Sequence, residues 1–456
     1  MRVYRFDGLF TEDGWHEPGW VRLDEAGRVL CLGAAQPEDE VIPVKGYALP
    51  GFQNAHSHAF QFAMAGIAER LSSKSDDFWS WREAMYNLAL TISPDEMEAI
   101  ATMLYSEMLR HGYTSVAEFH YLHHDPQGQH YANLAEMGAR LVAAAQKTGI
   151  RLTLVPVFYQ TGDFGKPAFE KQRRFLSPDL ETWSRLLEAS AHAVAAYDGA
   201  RLGGGLHSLR AALPEDVPRV FAAVPKDAPR HIHIAEQMKE VATCQAVTGK
   251  RPVEWLMANV DIDASYHLVH ATHLTQNEMH AIVASGATVV LCPSTEGNLG
   301  DGFFPLREYL SAKGSWAIGT DSHIGLSPME ELRWLDYGQR LGMQKRNVLC
   351  LTTGEDSGDL AFRQSFLGGS RSMGANTRSF FEPGRSFDAV VLDADYPLLT
   401  ECSADHRLAT LLYGADVTAL LGTITGGEWV VRDGRHMQRQ SIAAEFRAAL
   451  QRLANR

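Results

Sequence analysis

His56 and His58 stand one residue apart in "LPGFQNAHSHAF", where an apolar run ends. Side chains of a strand alternate between faces, so residues i and i+2 point the same way, and two imidazoles on adjacent pleats can hold one metal ion. The chemistry such an ion offers is hydrolysis, because it brings the pKa of a coordinated water down to about 7. An H-x-H on its own is more often a surface pair or a satisfied core pair than a set of ligands. The metal reading therefore depends on further ligands from elsewhere in the chain.

Elements able to deliver them are present. Short β-branched or apolar runs occur at "YALPGFQNAH", "TSVAEFHY", "LTLVPVFYQ", "LGGGLHS", "RHIHIAE", "YHLVHAT", "ATVVLCP" and "WAIGTDS". Most are separated by helical patterns such as "PDEMEAIATMLYSEMLRHG" and "NLAEMGARLVAAAQKTG". Strands alternating with helices call for a parallel sheet, and eight of them for a closed (β/α)8 TIM barrel, whose strand C-termini converge on one mouth. Each run ends in residues that are costly to bury idle: His56 and His58; Glu118, His120 and Tyr121; Tyr159 and Gln160; His207 with Arg210; His231, His233 and Glu236; His270; Ser294 and Glu296; Asp321. Any one of these is as readily a solvated loop residue. Eight such strand ends together point to one site.

The two ends of the chain differ from the middle. "VYRFDGLF" and "GWVRLDEAGRVLCLG", followed by a polar loop "AAQPEDEVIPV", match "GRSFDAVVLDAD" and "GEWVVRDGRHM" in their strand-like runs, and "IAAEFRAALQRLAN" reads as a terminal helix. The expected organisation is α/β: a barrel over residues 49–383, and a small β-rich domain composed of residues 1–48 and 384–456.

Composition sets limits on partners. The net charge of −13 over 456 residues speaks against nucleic acid or an anionic membrane surface. The five cysteines are scattered and form no CxxC pair, which fits a reducing cytoplasm rather than a disulfide framework. "MRVYRFDGLF" has no cleavable apolar core and no apolar run approaches a membrane span, so a soluble cytoplasmic protein is expected, with a homodimer as the usual assembly.

"NAHSHAF", "HIHIAEQ", "LVHATHL" and "GTDSH" together resemble the amidohydrolase superfamily, and with the composite terminal domain the resemblance covers essentially the whole chain. It implies a metal site of His56, His58, His233 and Asp321. His231 competes with His233, and the family's His-x-x-Glu spacing to Glu236 selects the latter. Two-metal members carry a bridging lysine near the end of strand four; "RLGGGLHSLR" has none, so one ion is expected, although Glu118 keeps a second site open. Three imidazoles and a carboxylate suit zinc, with iron or manganese possible. By the same resemblance His270 takes the water's proton with Asp321 assisting, and Glu236 shuttles a proton to the departing ammonia.

"FWSWREAMY", "AEFHYLHHD", "GLHSLRA" and "CPSTEGNLGDG" further resemble the branch that hydrolyses linear amidines, in particular N-formimino-L-glutamate to N-formyl-L-glutamate and ammonia in histidine breakdown. Such a substrate is a small dicarboxylate. Arginine is the residue to hold it in an acidic protein, and Arg210 and Arg82 are the candidates, with Gln61, Tyr121 and His207 completing the clamp. Trp79 and Trp81 read as packing. The segment from Gly66 to Ser93 is a candidate cover for the mouth. The alternatives are a deaminase or hydrolase of a heterocycle such as guanine, which would want a neutral stacking pocket, and a non-catalytic metal- or ligand-binding barrel, which has no use for Glu236 and His270.

Overall fold

A computed structural model of the chain describes residues 1–33, 39–67, 69, 78–375, 377 and 379–454, the side chains of 78–80 excepted. Eight parallel strands alternate with helices: β1 (Phe52–Ser57), β2 (Tyr113–His120), β3 (Arg151–Phe158), β4 (Gly204–Leu206), β5 (Arg230–Ile234), β6 (Tyr266–His270), β7 (Thr288–Leu291) and β8 (Ser315–Ile318). They hydrogen-bond in sequence order. Between β8 and β1 the ladder narrows to a bridge at Ser57 and Asp321. There the Thr320 and Asp321 N–H groups donate to His56 O (3.1 and 3.0 Å), and the His58 N–H donates to Asp321 O (3.1 Å). The barrel thus closes at its mouth, through the backbone of the residues that carry the candidate chemistry.

A barrel of eight strands has just enough interior for side chains to fill it. Ala55, Ala117, Val269, Val290, Cys292, Ala317 and Met373 make that inner cluster. His231 and His267 also point inward near its floor, their rings 4.7 Å apart. His231 Nε2 lies 3.1 Å from Ser372 O, and His267 Nδ1 lies 3.1 Å from Ser372 Oγ, so the end of helix Ser357–Ser372 plugs the barrel from below.

That helix also sets β8 against β1. A Cβ added at Gly368 would fall 1.9 Å from Trp316 O, and one at Gly369 would fall 2.4 Å from Gln53 Cβ. Backbone approach this close tolerates no side chain. Gly368→Ala should lower unfolding free energy by about 2–3 kcal/mol, as overpacking of a tight contact does. Urea denaturation reads this, and a loss below about 0.5 kcal/mol would show that the helix retreats freely.

The terminal sheet is built from both ends of the chain. Strand Glu40–Pro50 runs parallel to Arg2–Thr11 on one side and antiparallel to Ala389–Asp393 on the other. The sheet continues through Leu420–Thr425 to Arg435–His436, and on the far side through Gly19–Leu23 to Val29–Leu32. Here the expected polar loop is corrected: residues 34–38 lie outside the described residues, but Glu40–Val44 is strand. Ala389–Asp393 covers only Gly46–Pro50, so among the described residues the edge beside residues 40–45 is unpaired, and Pro43 is tolerated there. The run "YALPGFQNAH" is accordingly divided at Gly51, its first part in the terminal sheet and its second in the barrel. Among the described residues no helix is long and apolar enough to cross a membrane.

Candidate active site

Four buried side chains converge where β1, β5 and β8 end. His56 Nε2 lies 3.1 Å from His58 Nε2 and 3.0 Å from His233 Nε2. Asp321 Oδ1 lies 3.4 Å from His56 Nε2 and 3.1 Å from His58 Nε2. Two of the imidazoles are held by their far nitrogens. His58 Nδ1 is 2.9 Å from Phe119 O, and His233 Nδ1 is 3.0 Å from His207 O. A carbonyl only accepts, so both rings carry their proton on Nδ1 and turn a bare Nε2 inward. Burial pushes the pKa of His56 down to about 3 and that of His233 well below the ordinary imidazole value, which keeps both rings neutral.

Lone pairs of at least three acceptors therefore face one another at hydrogen-bond distance, an arrangement that a cation relieves. A tetrahedral zinc ion with bonds of about 2.05 Å separates its donors by about 3.3 Å, close to the spacings here, and His₃Asp is a donor set that zinc accepts. The residues fit a metal ion. This is also where the backbone leaves regular geometry. Ala235 (φ 51°), His270 (φ 68°), Ala271 (φ 48°) and Asp321 (φ 44°) adopt the left-handed conformation in which side-chain-bearing residues are uncommon.

His270 and Glu236 border the cluster. His270 Nε2 lies 3.8 Å from Glu236 Oε1 and 3.9 Å from Asp321 Oδ2. Its Nδ1 lies 3.2 Å from Glu296 Oε1, which also accepts the Cys292 N–H at 2.8 Å. Burial disfavours charge on His270, but Glu236 and the Glu296 hydrogen bond outweigh it and hold its pKa up at about 10; a cation among the ligands would bring it down. Burial, with Asp321 nearby, raises the pKa of Glu236, and His270 offsets part of that rise.

Above the cluster lies a cavity with a cationic wall. Arg210 is 8% exposed, and its Nη1 has no hydrogen-bond partner among the described residues. The Arg82 guanidinium sits 5.5 Å over the Tyr86 ring; burial and then the neighbouring Arg210 lower its pKa. Gln172 Nε2 donates to Tyr159 OH (2.7 Å) and Tyr86 OH (3.0 Å), tying the wall together. Gln61 Nε2 donates to Tyr121 OH (2.9 Å), while Gln61 Oε1 has no partner among the described residues. The His207 ring is 4.6 Å from Tyr159 and 5.0 Å from His233; burial and Arg210 keep it neutral.

The amidohydrolase family model matches residues 47–430. The chain belongs to the amidohydrolase family. A formimidoylglutamate deiminase of Pseudomonas aeruginosa is 46% identical over 450 residues, 96% of this chain and 97% of that protein. The crystal structure of an amidohydrolase from Brucella melitensis aligns with a TM-score of 0.92 at 40% identity, covering 100% of both chains. An adenosine deaminase from Xanthomonas campestris with bound zinc shares the fold, with a TM-score of 0.82 at 20% identity over 100% of this chain and 99% of that one.

In this amidohydrolase the cavity lining includes every residue considered for substrate contact: Gln61, Arg82, Tyr121, His207 and Arg210. His56, His58, His233, Glu236, His270 and Asp321 lie together at its base or border. Five other strand-end residues point elsewhere. His120 packs against His123, their rings 4.8 Å apart. His231 faces the barrel interior two residues below His233, where it bonds Ser372 O. The Glu118 carboxylate accepts from Ser57 Oγ (2.6 Å), Ala59 N (2.6 Å) and Tyr105 OH (3.2 Å). Gln160 Nε2 donates to Asp216 (3.0 Å), and Ser294 Oγ donates to Glu331 (2.5 Å). Trp81, read as packing, does pack against the core, and it also lines the cavity with Arg82, Met85 and Tyr86, a helical face of Phe78–Ala89 turned to the mouth. The Trp79 side chain and residues 70–77 lie outside the described residues. The contact of Glu296 with His270 was not anticipated; its position in the first turn of helix Pro293–Leu299 was the available signal.

Proposed function

We propose that this amidohydrolase converts N-formimino-L-glutamate to N-formyl-L-glutamate and ammonia, using one zinc ion held by His56, His58, His233 and Asp321. The observation that carries the reading is the pair of guanidinium groups, Arg82 and Arg210, in the wall of a cavity based on three imidazoles and a carboxylate. In a chain of net charge −13, such a wall suits a substrate with two carboxylates. The 46% identity to a formimidoylglutamate deiminase supports the same choice. A single ion is favoured because the stretch 201–210 that contains β4 has no lysine to bridge a second, and the Glu118 oxygens already accept three donors. Iron or manganese would suit the same donors. Five unpaired cysteines agree with a reducing cytoplasm.

When bound, the ion supplies a nucleophilic water at neutral pH. His270 Nε2 and Asp321 Oδ2, 3.9 Å apart, face the same space and take the proton of the attacking water. The water oxygen bonds to the formimino carbon, and the C=N π pair moves to nitrogen. Glu236, 3.8 Å from His270, delivers protons to that nitrogen. The C–N bond then breaks, ammonia leaves with the bonding pair, and the remaining C–OH loses its proton to give the formyl group. Arg82 and Arg210 hold the carboxylates, while Gln61, Tyr121 and His207 supply hydrogen bonds that fix the backbone of the substrate. A binding protein without catalysis would have no need for both His270 and Glu236.

Ammonia release by the metal-loaded protein tests the proposal. N-Formimino-L-glutamate should be turned over with kcat/KM above about 10⁴ M⁻¹s⁻¹, and guanine and adenosine should release no ammonia. Turnover of a purine with none of the formimino compound would overturn it. Metal analysis should return one equivalent per chain.

A further inference from the structure

We infer that Glu296 is a positioning residue for His270, fixing which imidazole nitrogen carries the proton and where the ring points; the inference rests on the reaction proposed above. A group that accepts a proton from water must present a bare nitrogen to it. His270 Nε2 is the nitrogen facing Glu236 and Asp321, so the ring's own proton has to reside on Nδ1. Glu296 Oε1, 3.2 Å from Nδ1, is the acceptor that makes this tautomer the favoured one.

The brace is itself held. The Cys292 N–H donates to the same Oε1 at 2.8 Å, and both residues sit where β7 passes into helix Pro293–Leu299. The orientation of His270 on β6 is thereby set by the neighbouring strand. His270 is at φ 68°, off the strand geometry that would otherwise restrict its side chain, so an external support has something to do.

Donor atoms of His270, Cys292 and Glu296 lie within 4.8 Å of one another, which raises the possibility of a second cation there. Hydrogen bonding argues against it. Glu296 Oε1 already accepts from two N–H groups, and burial holds the Cys292 thiol protonated by pushing its pKa well above the ordinary value. A protonated thiol is a poor ligand.

The experiment compares Glu296→Leu and Glu296→Gln with the wild-type chain, all loaded with zinc. The Leu variant removes the acceptor. Its kcat should fall about 10–100-fold, as loss of a supporting hydrogen bond does, with KM within about threefold. The Gln variant keeps an acceptor, because the Cys292 N–H repels an amide NH₂ and selects the rotamer that presents oxygen. Its kcat should stay within about fivefold of wild type. Zinc content should remain one per chain in all three. Unimpaired kcat in the Leu variant, equal loss in both variants, or loss of a metal equivalent with Glu296 would each overturn the inference. Should the Leu variant fold poorly, nitrogen NMR of zinc-loaded, histidine-labelled wild type, recorded at a pH where His270 is neutral, decides: the ring must be protonated on Nδ1, and the opposite tautomer overturns the inference. Wild type in the same ammonia assay keeps the two claims apart. A silent wild type removes the reaction, whereas an active one with an unimpaired Leu variant removes only the brace.

Discussion

Arg210→Glu is expected to lower kcat/KM for N-formimino-L-glutamate by about 10³-fold or more, which is about 4 kcal/mol of lost transition-state binding. The size follows from burial. Arg210 is 8% exposed, with Nη1 unpartnered among the described residues, so a substrate carboxylate would meet a desolvated guanidinium with a free donor. Truncating one partner of a buried charge pair costs about 2–5 kcal/mol, and reversing the charge adds repulsion to the loss. Most of the effect should appear in KM. Arg210→Gln, which keeps hydrogen bonding without charge, should lie between wild type and Glu. Thermal unfolding of the variants separates this from collapse of the wall around Tyr86 and Tyr159. A purine substrate carries no carboxylate, so a deaminase of that kind would respond far less. A folded Glu variant within tenfold of wild type would remove the dicarboxylate reading.

Much of the architecture was legible because the barrel repeats one physical pattern: a short apolar run, polar residues at its end, then an amphipathic helix. The i, i+2 spacing of His56 and His58 put both rings on one face, and the structure has their Nε2 atoms 3.1 Å apart. The same rule could not separate His231 from His233. Both share the interior face of β5, and only depth along the barrel distinguishes a ring bonded to Ser372 from one beside His56. Strand Glu40–Pro50 was obscured for a related reason: its outer half is polar and contains Pro43, which is what an open sheet edge permits and what a loop also looks like.

Arg82 and Arg210 were accessible from sequence because an acidic chain holding a dicarboxylate needs cations somewhere. Their neighbours were not. Trp81 and Tyr86 belong to an ordinary amphipathic helix, and nothing in its periodicity says that its buried face lines a cavity as well as packing on the core. Glu296 resembles any acid in the first turn of a helix, a position favoured by the helix dipole. Its contact with His270 comes from the adjacency of β6 and β7, a property of the closed barrel.

Glu236→Gln should reduce kcat by about 10²–10⁴-fold while leaving KM within a few-fold of wild type. Glutamine matches glutamate in size and can still hydrogen-bond a formimino nitrogen, so binding survives, but the amide cannot carry a proton between His270 and the departing ammonia. The environment suits that shuttle. Burial raises the pKa of the Glu236 carboxyl, which helps it hold a proton, and His270 at 3.8 Å offsets the rise so that the proton can be given up. The backbone N–H of Glu236 donates to Glu240 Oε2 at 3.0 Å, beside the left-handed Ala235, so the side chain leaves the strand end at a set angle. Glu236→Asp provides the geometric control. It keeps the proton and withdraws the carboxyl by one methylene, so it should retain more activity than Gln if proton transfer is the role, and less if only a hydrogen bond to substrate matters. Steady-state kinetics on zinc-loaded protein reads both. A Gln variant with kcat within tenfold of wild type would leave His270 and Asp321 to move every proton, and Glu236 would be reduced to a substrate contact.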